Sequence, residues 1–192
     1  MNKIKDNSRV YFGNPLPPTG EYVVDPVHSF AEFATQHLIV GQVRGRFNSI
    51  SGEIKITDEP LLSSFQFSVD TASIDTHHSG RDADLRGPRF FDVQKYPKMT
   101  FSSTGMKVEP GGNFTIEGDF TIRGITRKII AALKFSGVVQ DPWGNTRMAF
   151  QTRAKVNRKD FGLLTDLQKE TGGFPIGKDV NIKTAIEATL KK

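Results

Sequence analysis

Four histidines are the side chains best suited to hold a metal ion, and their spacing argues against a shared one. A zinc-type centre needs several imidazoles or carboxylates converging on one point. His28 and His37 stand at the two ends of one extended segment, so about 30 Å of chain separates them at ~3.3 Å per residue. His77 and His78 are adjacent and would point to opposite sides of an extended chain. His37 better fits a buried, hydrogen-bonded residue or the polar contact for a ligand head. His28 fits a hydrogen bonder where a strand begins.

Nucleophilic chemistry has no anchor either. The chain contains no cysteine, which excludes thiol nucleophiles, thiolate metal centres and disulfides. No Gly-x-Ser-x-Gly elbow is present. Neither a Gly-x-Gly-x-x-Gly nor a Gly-Lys-Ser/Thr phosphate loop is present. Asp82 and Asp84 lie two apart in a charged segment and read as a solvated face or as helix-start charges. The expectation is a non-enzyme without metal or cofactor.

The elements that would position any site are strands. The chain has 192 residues, enough for one domain with a real core. Its net charge of +5 and pI near 9.5 are spread along the sequence. Residues 1–20 are polar and rich in proline and glycine, which suggests a flexible N-terminal arm ahead of a single β-domain over 21–192. The N-terminus has no apolar stretch of the secretory kind, so the chain as given reads as cytoplasmic; a trimmed leader would make it periplasmic or extracellular.

Apolar residues recur at every second position, the mark of strands with one oily and one wet face. The alternation predicts eight strands: Ser29–His37, Val43–Ile56, Ser64–Asp70, Met99–Val108, Phe114–Ile122, Lys128–Val139, Arg147–Val156 and Val180–Leu190. Gly45 and Gly52 suggest bends or bulges in the second. Ser79–Val93 is charge-dense and not a strand. It permits a short helix over Arg81–Leu85, stopped by Gly87-Pro88. Consecutive antiparallel strands argue for an up-and-down barrel or a sandwich. In a barrel the inward face lines either a packed core or a cavity.

Several segments resemble the YceI-like family of lipid-binding β-barrel proteins. They are Asp25-Pro26-Val27-His28-Ser29 with Phe33 and His37, Gly45-Arg46-Phe47, and Ser73-Ile74-Asp75-Thr76. The long run from Arg81 to Phe101 follows, then Gly118 to Thr126 and Arg158 to Leu163. The resemblance implies an all-β, eight-stranded antiparallel lipocalin-like barrel with a short helical insert. It also implies a lumen for a long isoprenoid or fatty-acid-like amphiphile, a homodimer, and often periplasmic export. Ala31 and Thr35 stand where that pattern usually has bulkier aliphatics, implying a wider or more polar point in the pocket.

The expected function is storage or transport of such a lipid. The candidate ligand-binding residues are Ala31, Phe33, Thr35, His37, Phe47, Phe65, Phe67, Phe91, Phe101, Phe120, Ile122, Phe150 and Ile182. The competing reading packs these phenylalanines against one another as ordinary core. A different function is an interaction module whose basic outer face meets nucleic acid or anionic membrane, drawing on Arg147, Arg153, Lys155, Arg158 and Lys159. Phe150 is out of phase with Arg147, Arg153 and Lys155, whereas base stacking needs rings and cations on one surface. Nucleic acid is therefore not expected as a partner, and transient membrane contact is.

Overall fold

A computed structural model describes residues 9–11, 14–38, 40–110, 112–164 and 176–192. A short hairpin, β1 (Arg9–Tyr11) and β2 (Asn14–Leu16), precedes β3 (Gly20–Val24), β4 (Phe30–His37), β5 (Gly41–Phe47), β6 (Ile50–Ile56), β7 (Ser64–Asp70) and β8 (Ile74–Asp75). Helix α1 (Ser79–Arg86) follows, then β9 (Lys98–Val108), β10 (Phe114–Ile122), β11 (Ile125–Gln140), β12 (Thr146–Asn157) and β13 (Ile176–Leu190).

These form a closed antiparallel barrel of eight staves. β3 and β4 are one stave interrupted at residues 25–29, and β5 and β6 are the next, because β3 pairs with β6 while β4 pairs with β5. The staves β7, β9, β10, β11, β12 and β13 then follow in chain order, each bonded to the one before. β13 closes the ring against β3 and β4. Among the described residues, the ladders leave one side unpaired at Gly41–Gly45 of β5 and Ile125–Ala131 of β11.

Three sequence expectations change. Gly20–Val24 is a strand that the sequence reading did not find: it is short and Pro26 and Ser29 separate it from β4. The hydroxyl of Ser29 bridges that gap, donating to the Glu187 carbonyl at 3.2 Å and accepting from the Glu187 N–H at 3.0 Å. β13 begins at Ile176, before a register shift, where the reading began at Val180. Of residues 1–20, read as an outlying arm, Arg9, Tyr11 and Pro17 lie against the barrel. Arg9 donates to the carbonyls of Thr57 (2.8 Å) and Asp58 (2.5 Å), Tyr11 stacks on Phe114, and Pro17 is buried.

Gly45 and Gly52 are not bends. Each faces a phenylalanine across the ladder, Gly45 opposite Phe33 and Gly52 opposite Phe67. A methyl group on Gly45 would come within 2.6 Å of the Phe33 ring, and one on Gly52 within 2.7 Å of the Phe67 ring. Gly118 is covered in the same way by Phe101. The missing Cβ lets each ring lie flat along the wall.

At the barrel end distant from α1, Arg147 ties three chain segments together. Its guanidinium donates to Asp141 at 2.9 Å, Asp25 at 2.6 Å and Glu187 at 2.8 Å. Burial pushes the Asp25 carboxyl up, but donation from His28, Arg147 and the Val27 N–H outweighs it and holds the group well below the usual range. Arg147 is the main cause holding Asp141 down to about 2. The bond to Asp25 raises His28 above its ordinary 6.5.

Two predictions come from this architecture. Gly52→Ala should destabilise the barrel by about 1–3 kcal/mol in denaturant unfolding, because backbone and ring must shift. Gly105→Ala, whose methyl meets nothing within 4 Å, should be neutral or slightly stabilising. Equal effects at the two positions would refute the seating of rings on glycines. The second prediction concerns pH. Asp25 and Asp141 are lowered on folding, so their contribution is present above about pH 4 and is lost as pH falls through their folded values. His28 is raised, so its contribution is present below 6.5 and is lost as pH rises through the folded value. Arg147→Met should lower the Tm at neutral pH and flatten its fall between about pH 4 and 2. A Tm curve parallel to wild type would contradict this.

Candidate functional site

The inward positions of every stave converge on one cavity of about 240 Å³. β4 supplies Ala31, Phe33 and Thr35; β5 supplies Val43 and Phe47; β7 supplies Phe65, Phe67 and Val69. β9 and β10 supply Met99, Phe101, Ile116, Phe120 and Ile122, and β11 supplies Ile129, Ala131 and Leu133. Phe150, Thr152, Ala154 and Val156 come from β12, and Val180, Ile182, Thr184 and Ile186 from β13. The period of two in the sequence is thus the period of the lining.

The rings line the wall in two groups. Phe67 stacks on Phe101 (6.3 Å, 19°) and meets Phe150 at 6.1 Å; Phe65 meets Phe150 edge-on at 5.7 Å. Opposite them Phe33 meets Phe47 at 5.7 Å, and Phe47 meets Phe91 edge-on at 5.5 Å. Aliphatic side chains of β11 and β13 complete the circumference. Of the two readings open in the sequence, packed core or cavity, the coordinates show a cavity beside ordinary ring packing.

Three of the lining hydroxyls, those of Thr35, Thr152 and Thr184, are already engaged. Thr35 donates to the carbonyls of Gly177 (3.1 Å) and Asp179 (3.0 Å), and Thr152 and Thr184 bond to each other at 2.8 Å.

The charge-dense insert caps one end of the lumen. Helix α1 runs over Ser79–Arg86, longer than the expected Arg81–Leu85, and ends at Gly87 as expected. His78 is its N-cap, accepting from the Arg81 N–H at 3.1 Å. Leu85, Phe90 and Phe91 turn into the cavity. Asp82 is neither solvated nor merely a helix-start charge: it is buried and accepts from the Thr76 N–H (2.9 Å) and hydroxyl (2.5 Å).

Irregular chain leaves carbonyls without ladder partners, and arginines supply the donors. Arg81 donates to the Thr76 carbonyl (2.8 Å), and Arg86 to those of Ala72 (2.9 Å) and Ile74 (2.6 Å). Arg123 reaches Pro88 and Phe90. Arg158 is buried and donates to Leu163, Gly177 and Ile176. Glu32, Arg81, Asp84 and Arg158 are the charged residues of the lumen lining.

Twelve of the thirteen expected residues therefore surround the cavity: Ala31, Phe33, Thr35, Phe47, Phe65, Phe67, Phe91, Phe101, Phe120, Ile122, Phe150 and Ile182. His37 is the exception. It has the inward phase and its ladder partner Ile176 lines the cavity, but His37 itself, the last residue of β4, does not. The aliphatic lining of β11 went unselected, although Ile129, Ala131 and Leu133 share the same alternation. Leu163 and Arg158 carry no periodic signal that could have found them.

Comparison with known proteins agrees with this geometry. The YceI-like domain model matches residues 22–188. A UPF0312 protein of Pectobacterium atrosepticum is 33% identical over 181 residues, covering 94% of this chain and 91% of its own. Protein YceI of Salmonella newport is 33% identical over 175 residues, covering 90% and 88%. Among solved structures, BcnA of Burkholderia cenocepacia aligns with a TM-score of 0.75 at 22% identity, over 86% of this chain and 99% of its own. A polyisoprenoid-binding domain from Saccharophagus degradans aligns with a TM-score of 0.71 at 16% identity, over 88% and 98%. The chain belongs to the YceI-like family.

Proposed function

We propose that this protein is a non-enzymatic holder of a long apolar chain, an isoprenoid or similar amphiphile, stored or carried in the barrel lumen. The observation that carries the reading is the cavity itself, closed around by eight staves and lined almost wholly by phenyl rings and aliphatic side chains. Covering such a chain is worth ~0.8 kcal/mol per methylene before ordering costs are subtracted. Rigid rings lose little entropy on contact. The polyisoprenoid-binding domain of Saccharophagus degradans, which shares the fold, supports the same ligand class.

The dimensions refine the ligand. A cavity of 240 Å³ lies just below the ~300–1,000 Å³ of common small-molecule pockets. A slender chain threaded along the axis fits it better than a bulky ring system. The polar end would sit at the α1 end, near Arg81 and Asp84. Because Thr35, Thr152 and Thr184 are bonded to backbone carbonyls or to each other, these hydroxyls compete little for a chain in the lumen.

Organic extraction of the purified protein with mass spectrometry, followed by titration with prenyl lipids, tests the proposal. Wild type should bind one chain per barrel. Ala154→Phe, which fills the lumen from β12, should weaken binding by about tenfold or more while leaving the fold intact. Phe67→Asp should abolish uptake or destabilise the barrel, since an unpaired carboxylate in an apolar cavity is costly. Refusal of every prenyl lipid by wild type, or wild-type affinity in folded Ala154→Phe, would overturn the assignment.

A further inference from the structure

We infer that the α1-capped rim of the barrel docks on an anionic lipid bilayer, with apolar tips leading and a basic outer wall lying against the headgroups. The inference rests on the lumen reading for its purpose, since a chain-like ligand would be exchanged with a bilayer.

The rim is apolar where soluble loops are usually polar. The turn joining β4 to β5 places Val40 92% exposed, with Leu38 held in the left-handed region at φ 58°. Leu164, 63% exposed, stands next to Leu163, which lines the lumen. Thr35, Val43 and Ile176 line the cavity at this same end, so apolar surface runs from the lumen out to the tips.

The wall beside the rim is cationic. Strands β5, β4, β13 and β12 pair side by side, and their outward positions form a broad shallow groove. Arg44, Arg46, Arg153, Lys155 and Lys183 line it against only two acids, Glu32 and Asp75. Each basic side chain near an anionic membrane adds roughly fivefold to binding, and apolar insertion adds to that attraction.

Charge also chooses between the two ends. The far end exposes Trp143 (77%) and Val27 (82%), but these flank Asp25, Asp141 and Glu187, with Arg147 shared among them. That end is not complementary to an anionic surface. Nucleic acid is the less suitable partner for the basic wall, because the outward positions among the cations are Ala34, Gln42, Asn181 and Ile130, and the exposed ring at the groove is the single imidazole of His77, not a row of rings for successive bases.

Flotation of the full-length protein with phosphatidylcholine vesicles, with and without phosphatidylglycerol, tests the docking. Wild type should float with the anionic vesicles and release as salt rises. Val40→Asp with Leu164→Asp, and separately Arg44→Glu with Lys183→Glu, should each lower partitioning at least about tenfold. Orientation is read with brominated lipid: Trp143 should stay unquenched, whereas Val40→Trp in a Trp143→Phe background should be quenched. Prenyl-lipid titration of the same variants in vesicle-free buffer should match wild type, which separates loss of docking from loss of the lumen function. No flotation by wild type, quenching of Trp143, undiminished flotation of the variants, or displacement of vesicles by a single-stranded oligonucleotide would overturn the inference.

Discussion

The lumen depends on where the phenyl rings lie. An eight-stave barrel is at the size where inward side chains can fill the interior completely. Here Phe33, Phe67 and Phe101 each cover a glycine on the neighbouring stave, which seats their rings close to the wall, while Phe65 and Phe67 of β7 meet Phe150 of β12 across the lumen at 5.7 and 6.1 Å. Interiors elsewhere pack to near-crystalline density, and a void costs dispersion contacts. The absence of three β-carbons leaves room at the wall for those rings, and the cavity persists beside the contacts that cross it. Ring-on-ring contacts then fix the orientation of the same phenylalanines.

The cap depends on a second accounting, that of backbone carbonyls. Between β8 and β9 the chain leaves the ladder, and a helix of eight residues satisfies only part of it. Arg81, Arg86 and Arg123 donate to the orphaned carbonyls, and buried Asp82 takes the hydroxyl and N–H of Thr76. The result places Leu85, Phe90 and Phe91 over the lumen. A segment that looks surface-like in composition is thus a structural clasp whose charges point inward to backbone.

Much of the lining was legible because a strand's side-chain period is two, and burial on one face leaves that period in the sequence. Phe65 and Phe67, Phe120 and Ile122, and Phe150 follow it directly. His37 shows the limit: phase names a face but not how far along the stave the cavity extends. Gly45 and Gly52 looked like bends because a glycine's neighbour across the ladder is invisible in one dimension. Asp82 and Arg158 were read as solvated or basic-patch residues, since their partners are backbone groups that only the fold brings near. Gly20–Val24 was too short to stand out without its partner strands.

The central claim is that the inner face, not the outer, takes an apolar chain. Ile129 and Ile130 offer the sharpest comparison, being adjacent in β11 with the first lining the lumen and the second exposed on the outer wall. Methyl NMR during titration with a prenyl lipid should show contacts from the ligand to Ile129 and also to Ile182, two staves away on the same lumen, with Ile130 unmoved. Ligand contacts at Ile130 without any at Ile129, or none at either, would contradict the account.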